Sequence, residues 1–178
     1  MKQAGYLAAA VAIVAFVAVP LLGSGDEAVW EPYRSHAGAY TVDMPSTPVE
    51  HQQPVMVDGQ QIPVHVALAE FPYGAYSVAA TELPYATSDV MPILEGARDG
   101  ALGNVGAQLI EEREIVHDGV QGLEIEGRMN HRGVDSRIRN RLFVHDGRLY
   151  QIGFVGLATR ASHSDVATFF ESLRFTTP

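Results

Sequence analysis

The chain has 178 residues, a formal net charge of −9 and no cysteine. Lys2 is the only lysine, so the rest of the positive charge is arginine. An acidic body of this kind repels nucleic acid and anionic lipid, which argues against either as a partner. Without thiols there are no disulfides, no thiolate metal sites, no cysteine nucleophile and no lipidated N-terminal cysteine.

The N-terminus carries a positive residue, Lys2, and then an uncharged run rich in Ala and Val from Tyr6 to Leu22. Pro20 and Gly23-Ser24-Gly25 end it before Asp26. That layout is a secretory signal with cleavage near Gly25. The alternative is an uncleaved membrane anchor, because a run of about 17 residues lies at the short edge of what spans a bilayer. Either way, residues 26–178 form a single domain outside the cytoplasm, periplasmic or secreted, touching a membrane only through residues 1–25.

The body opens with an extended piece, Trp30 to Arg34, and a strand, Ala39 to Met44, that stops at Pro45. Val49 to Val57 and Gln61 to Glu70 flank Asp58-Gly59, a hairpin signal. Pro54 and Pro63 cannot donate to a ladder, which points to edges or bulges. Gly74 to Leu83 reads as the next strand. A helix follows, capped by Thr87 or Ser88, with Pro92 in its first turn. Val90, Ile93, Leu94, Ala97, Ala101 and Val105 keep helical spacing. Gly96, Gly100 and Gly103 weaken it, with close approach to a sheet as the compensation, and Asp99-Gly100 is a point where it could break. Ala107 to His117 is a strand leading through Asp118-Gly119 into a meander. Near the C-terminus, Ser162 and Asp165 have capping-box spacing. Val166, Phe169, Phe170 and Leu173 then recur at i, i+3, i+4 and i+7, and a short extended piece runs through Phe175.

The meander, Val120 to Leu157, organises the rest. Asp146-Gly147 suits a two-residue type I′ turn, and it sets Val144 opposite Leu149, Phe143 opposite Tyr150, Arg141 opposite Ile152 and Arg139 opposite Phe154. If Asn130 to Gly133 form the preceding loop, Arg128 meets Asp135, Glu126 meets Arg137, Glu124 meets Arg139 and Ile125 meets Ile138. One face of this sheet carries Leu123, Ile125, Ile138, Leu142, Val144, Leu149 and Val155, with Asn140 and Gln151. The other is charged at one end and apolar at the other, where Phe143, Tyr150, Ile152 and Phe154 lie. Either a helix covers the apolar end or that end is a binding patch. Two predicted helices favour coverage. Arg139 and Arg141 can stack over aromatic rings there.

Several constellations invite chemistry. Arg137, Arg139 and Arg141 could clamp an anion, but Glu124 and Glu126 answer two of them and leave Arg141 as the member without an acid opposite. The seven histidines show no HxH or HExxH spacing, so no metal site and no cofactor is expected. Ser162-His163-Ser164-Asp165 is a helix start rather than a relay. Glu111, Glu112 and Glu114 read as a solvated strand. The loop bearing Phe71, Tyr73 and Tyr76 offers rigid aromatic contact area. The binding candidates are therefore Arg141, Tyr150, Phe154, Phe71, Tyr73 and Tyr76, and no residue is put forward as catalytic.

Gly38-Ala39-Tyr40-Thr41-Val42-Asp43-Met44-Pro45, Arg148-Leu149-Tyr150-Gln151-Ile152 and Phe169-Phe170-Glu171-Ser172-Leu173-Arg174-Phe175 resemble the landmarks of the PsbP-like superfamily over about residues 33–176. The resemblance implies an α+β fold, an antiparallel sheet with helices packed on it, sometimes on both faces. It also implies a binding or accessory role rather than catalysis. Its members range from a photosystem II subunit to envelope lipoproteins, so no residue's role transfers. The absent cysteine removes the lipoprotein variant. The expectation is an antiparallel sheet of about six to eight strands with two main helices. Functionally, it is a non-catalytic envelope domain binding a protein or small molecule. The alternatives are a hydrolase with a site assembled from separate strands, or a structural envelope component.

Overall fold

The computed structural model describes residues 28–57, 60–131 and 133–176. The signal or anchor segment at residues 1–25, the Asp58-Gly59 turn and Arg132 lie outside the described residues. Among the described residues, ten strands form two antiparallel sheets. The small one contains β1 (Glu31–Ser35), β2 (Tyr40–Met44) and β10 (Arg174–Phe175), with β2 in the middle. The large one contains β3 (Val49–Val57), β4 (Gln60–Phe71), β5 (Gly74–Glu82), β6 (Gln108–His117), β7 (Val120–His131), β8 (Val134–His145) and β9 (Arg148–Leu157). Its strand order is β3-β4-β5-β9-β8-β7-β6, so β3 and β6 are its edges. The helices are α1 (Met91–Val105), α2 (Ala158–Ala161) and α3 (Ser164–Ser172). The expected antiparallel α+β architecture is present, with the small sheet and α2 in addition.

The Asp-Gly turns behave as their chemistry requires. Asp118, Gly119, Asp146 and Gly147 all have positive φ, at 53°, 79°, 47° and 73°. The β8–β9 register is the expected one. The β7–β8 register is displaced by two residues. Glu124 faces Arg141, Glu126 faces Arg139, Ile125 faces Asn140 and Gly127 faces Ile138. The strands run on to His131 and Val134, so the connection is two residues long rather than four. A displacement of two keeps every side chain on its face, because the strand period is two. The three anticipated charge pairs survive as diagonal neighbours: Arg128–Asp135 at 3.1 Å, Arg137–Glu126 at 3.4 Å and Arg139–Glu124 at 3.4 Å.

Two cores lie on opposite faces of the large sheet. Against α1 pack Leu123, Ile125, Ile138, Leu142 and Leu149 together with Val64, Val66 and Ala79. Against α2, α3 and the small sheet pack Phe143, Tyr150, Ile152 and Phe154. Val166, Phe169, Phe170 and Leu173, the apolar repeat of α3 and its C-cap, are all fully buried there. The apolar end of the second face is therefore covered.

Local details depart from expectation. The N-cap of α1 is Val90, with Asp89 Oδ1 accepting from the Met91 amide at 3.3 Å; Thr87 instead accepts from Asp89 N. The helix passes through Asp99-Gly100 unbroken and ends at Gly106 in the left-handed region. Gly103 faces open space, so close packing is not its explanation. Gly96 and Gly100 are buried, and on the sheet side a Cβ on Gly127 would collide with Leu102 of the helix. His163, not Ser162, caps α3, its Nδ1 accepting from Asp165 N. Pro54 and Pro63 face one another in the β3–β4 ladder; Pro54 is on the edge strand, and Pro63 precedes the first β4–β5 pair, Val64–Thr81, so both sit at an edge of the ladder as expected.

Candidate functional site

The charged end of the second face is built around Glu124. This residue sits mid-strand on β7, with only 8% of its side chain exposed. Arg113 from β6 reaches it at 2.6 Å, Arg139 from β8 at 3.4 Å, and Arg141 pairs with its other oxygen. Burial alone would raise the Glu124 carboxyl, but hydrogen bonds and charge from Arg141 and Arg113 outweigh it and hold it below its ordinary range. Arg141 is thus not the unanswered arginine. It has Glu124 directly opposite and Glu171 of α3 at 2.7 Å.

The two central guanidiniums also dock the helix. Arg139 and Arg141 lie 5.4 and 5.2 Å from the centroid of the Phe170 ring. Arg139 donates to the carbonyl of Ala161 at 2.9 Å, at the end of α2. His117, buried on β6, approaches the Leu173 carbonyl through Nε2 at 2.8 Å, which fixes the proton on that nitrogen because a carbonyl can only accept. Each of these groups ties α2 or α3 to the sheet. A cavity of about 110 Å³ beside them is lined by Glu111, Arg113, Glu124, Glu126 and Arg139, and both of its arginines are paired with Glu124.

The sequence-derived binding residues fall into this packing. Tyr150, Phe154, Tyr76 and Phe71 are buried. Tyr76 meets Phe169 edge-on at 5.2 Å and Phe71 edge-on at 6.2 Å. Tyr73 is half-buried, stacked on Phe71 at 5.3 Å and covered by the Arg160 guanidinium at 4.3 Å. These aromatic side chains fill the space under α3 because the end of the chain, Phe169 to Phe175, folds back over them. The loop does not present them as a surface.

A second cavity, of about 240 Å³, opens between the small sheet and the β3–β4 hairpin. Tyr33, Ser35 and Tyr40 line it from one sheet, and Glu50, Gln52 and His65 from the other. The Tyr33 hydroxyl is pushed up to about 12 by burial and then by a hydrogen bond to Glu50. Burial raises Tyr40 further still. Ser35 Oγ accepts from Gly38 N at 3.0 Å, which holds the β1–β2 turn against the cavity floor. These residues are scattered in sequence, and no spacing rule draws attention to them. Among the described residues, no group of three or more His, Asp or Glu side chains could hold a metal ion.

No family model and no curated protein matches the chain. Solved structures do. Cyanobacterial PsbP from Synechocystis sp. PCC 6803 superposes with a TM-score of 0.57 at 17% identity, over 86% of this chain and 96% of that one. The fold is PsbP-like. A Pseudomonas aeruginosa protein of unknown function matches at 12% identity and a TM-score of 0.49, over 84% of this chain and 98% of its own. LpqN, involved in cell envelope biogenesis of Mycobacterium tuberculosis, matches at 13% identity and 0.45, over 87% of each chain. At these identities the likeness is one of fold. In this PsbP-like domain the landmark segment from Phe169 to Phe175 supplies α3, its C-cap and β10, the pieces that close the second core.

Proposed function

We propose that the chain is an exported, non-catalytic accessory domain of the cell envelope that holds a protein partner at the extracytoplasmic face. The uncharged run from Tyr6 to Leu22 behind Lys2 supports export. The observation that carries the binding role is the β6 edge. The middle strands of the large sheet are covered on both faces, while β6 ends the ladder and leaves Leu109, Ile110 and Val116 exposed at 46%, 52% and 74%; the opposite edge, β3, exposes Val49 and Met56. An edge strand offers unpaired backbone groups to an extended segment, and exposed apolar side chains beside it supply contact area. Glu111, Glu112 and Glu114 on the same strand disfavour a second copy of this acidic edge and suit a basic segment. Of the residues singled out from sequence, Tyr73 and Arg141 keep partial exposure, but Tyr73 sits at the β4–β5 turn across the sheet from β6 and Arg141 is held by Glu124 and Glu171, so neither belongs to this edge.

The test is capture from the native envelope with the full chain and with an Ile110→Lys, Val116→Lys variant, after fractionation. The wild type is expected in the extracytoplasmic fraction, retaining a partner that the variant loses. Equal capture by both removes the β6 edge as the contact, and a cytoplasmic location removes the export reading.

A further inference from the structure

We infer that the cavity between the two sheets is a binding site for a small organic ammonium ion. The argument starts from what lines it. Glu50 supplies a carboxylate at the mouth, and it is the one acidic side chain among the lining residues. Tyr33 and Tyr40 supply two aromatic rings, their centroids 6.2 Å apart and their planes inclined by 57°. Aromatic faces carry negative potential and attract cations, most strongly where water is partly excluded. Gln52, Ser35, His51 and His65 add further hydrogen-bonding groups around the same space.

The volume limits the ligand. About 240 Å³ lies below the range of roughly 300–1,000 Å³ typical of drug-sized pockets. The site therefore suits a short amine with one or two further polar atoms rather than a nucleotide or a sugar chain. An anion is disfavoured, because it would meet Glu50 with no arginine or lysine among the lining residues. The wider field agrees, since the whole chain carries −9 and draws cations toward it.

The two sheets build this site by position rather than by motif. Tyr33 and Ser35 lie on one face of β1, Tyr40 faces Ser35 across the β1–β2 pair, and Gln52 faces His65 across β3–β4. Tyr40 is fully buried and cannot turn away. Glu50 is exposed and holds the Tyr33 hydroxyl, which leaves its carboxylate facing the mouth with room for a second donor. A buried aromatic floor with an exposed carboxylate at the rim is an arrangement that admits a cation and answers its charge.

The experiment is an amide-resolved NMR titration of the full domain with ethanolamine and with choline. The neutral carbon isostere of choline serves as the control. Saturable shifts centred on Tyr33, Gly38, Glu50 and His65 are expected with both cations, and none with the neutral isostere. Glu50→Gln, at an exposed position that leaves the fold intact, is expected to weaken ethanolamine by about tenfold or more, the loss of one charge-assisted hydrogen bond. Tyr33→Phe keeps the ring and is expected to retain choline. Absence of saturation, equal response to the neutral isostere, or an unchanged Glu50→Gln variant would each overturn the assignment. None of these outcomes bears on the β6 edge, which lies at the other side of the sheet.

Discussion

Glu124 is an acid placed where a strand would ordinarily carry an apolar or a solvated residue. Its cost is met by three arginines from two neighbouring strands. Removing one partner of a buried ionic group leaves the others uncompensated, which is more damaging than the pair was stabilising. Glu124→Gln is expected to lower unfolding stability by about 1.5–3 kcal/mol, the range for hydrogen bonds to charged groups. Urea denaturation at neutral pH measures it. The pH dependence has a definite sign. Arg141 and Arg113 depress the folded-state value of Glu124 below its ordinary 4.5, so its contribution is fully present above that value and is lost as pH falls through the depressed one. The gap between wild type and Glu124→Gln should therefore close on acidification. A gap that stays constant from neutral pH into acid would show that the carboxylate's charge is not what holds the network.

At the scale of elements, glycine is used in two opposite ways. Gly156 on β9 faces Gly74 on β5, and a Cβ there would run into the Tyr73 carbonyl and the Gly74 Cα. Backbone cannot step aside as a side chain can, so Gly156→Ala is expected to cost about 1–3 kcal/mol as overpacking. Gly103 lies within α1 with nothing near its missing Cβ. Gly103→Ala is expected to stabilise by up to about 1 kcal/mol through helix propensity and the unfolded chain. Thermal unfolding of the two variants should move in opposite directions, and a shared direction would contradict the assigned surroundings. Elements also mark where sequence reading stops. Asp146-Gly147 pins the β8–β9 register because a two-residue turn with positive φ admits one solution. The β7–β8 connection lacks such a dipeptide at its apex. Charge complementarity alone could not separate direct partners from diagonal ones, which is why faces were legible there and pairing was not. Likewise Ser162-x-x-Asp165 has capping-box letters, but His163 lies one residue nearer and takes the role.

For the whole molecule, the large sheet, both main helices and the two-faced core follow from periodicity and turn chemistry. The small sheet does not. Its third strand is only Arg174–Phe175, too short to register as a pattern, and its pairing with β2 spans almost the whole described chain. The inter-sheet cavity was illegible for the same reason, since Tyr33, Glu50 and His65 meet only once the small sheet has docked. The patch at Tyr150 and Phe154 could be placed on a face from sequence, while its cover came from α3. That dependence is testable. A chain ending at Ser172 loses Leu173, Phe175 and the His117–Leu173 contact, leaving Phe143 and Tyr150 open to water. It is expected to bind a hydrophobic dye and to lose its cooperative transition. Retention of a sharp transition would mean that the small sheet is an accessory to the fold rather than a part of its core.

The strand β2 is flanked by β1 and β10, both antiparallel to it and so parallel to each other. The chain enters β1 beside Met44 and leaves β10 beside Tyr40, at the two ends of the central strand. Tension applied between an anchored N-terminus and a load at the C-terminus would slide these strands lengthwise. All the rungs on each side of β2 would then be strained together instead of peeling one by one. A domain stitched in this way is mechanically stiff along the line joining its termini, and much weaker if pulled from the β6 edge, where the ladder would unzip.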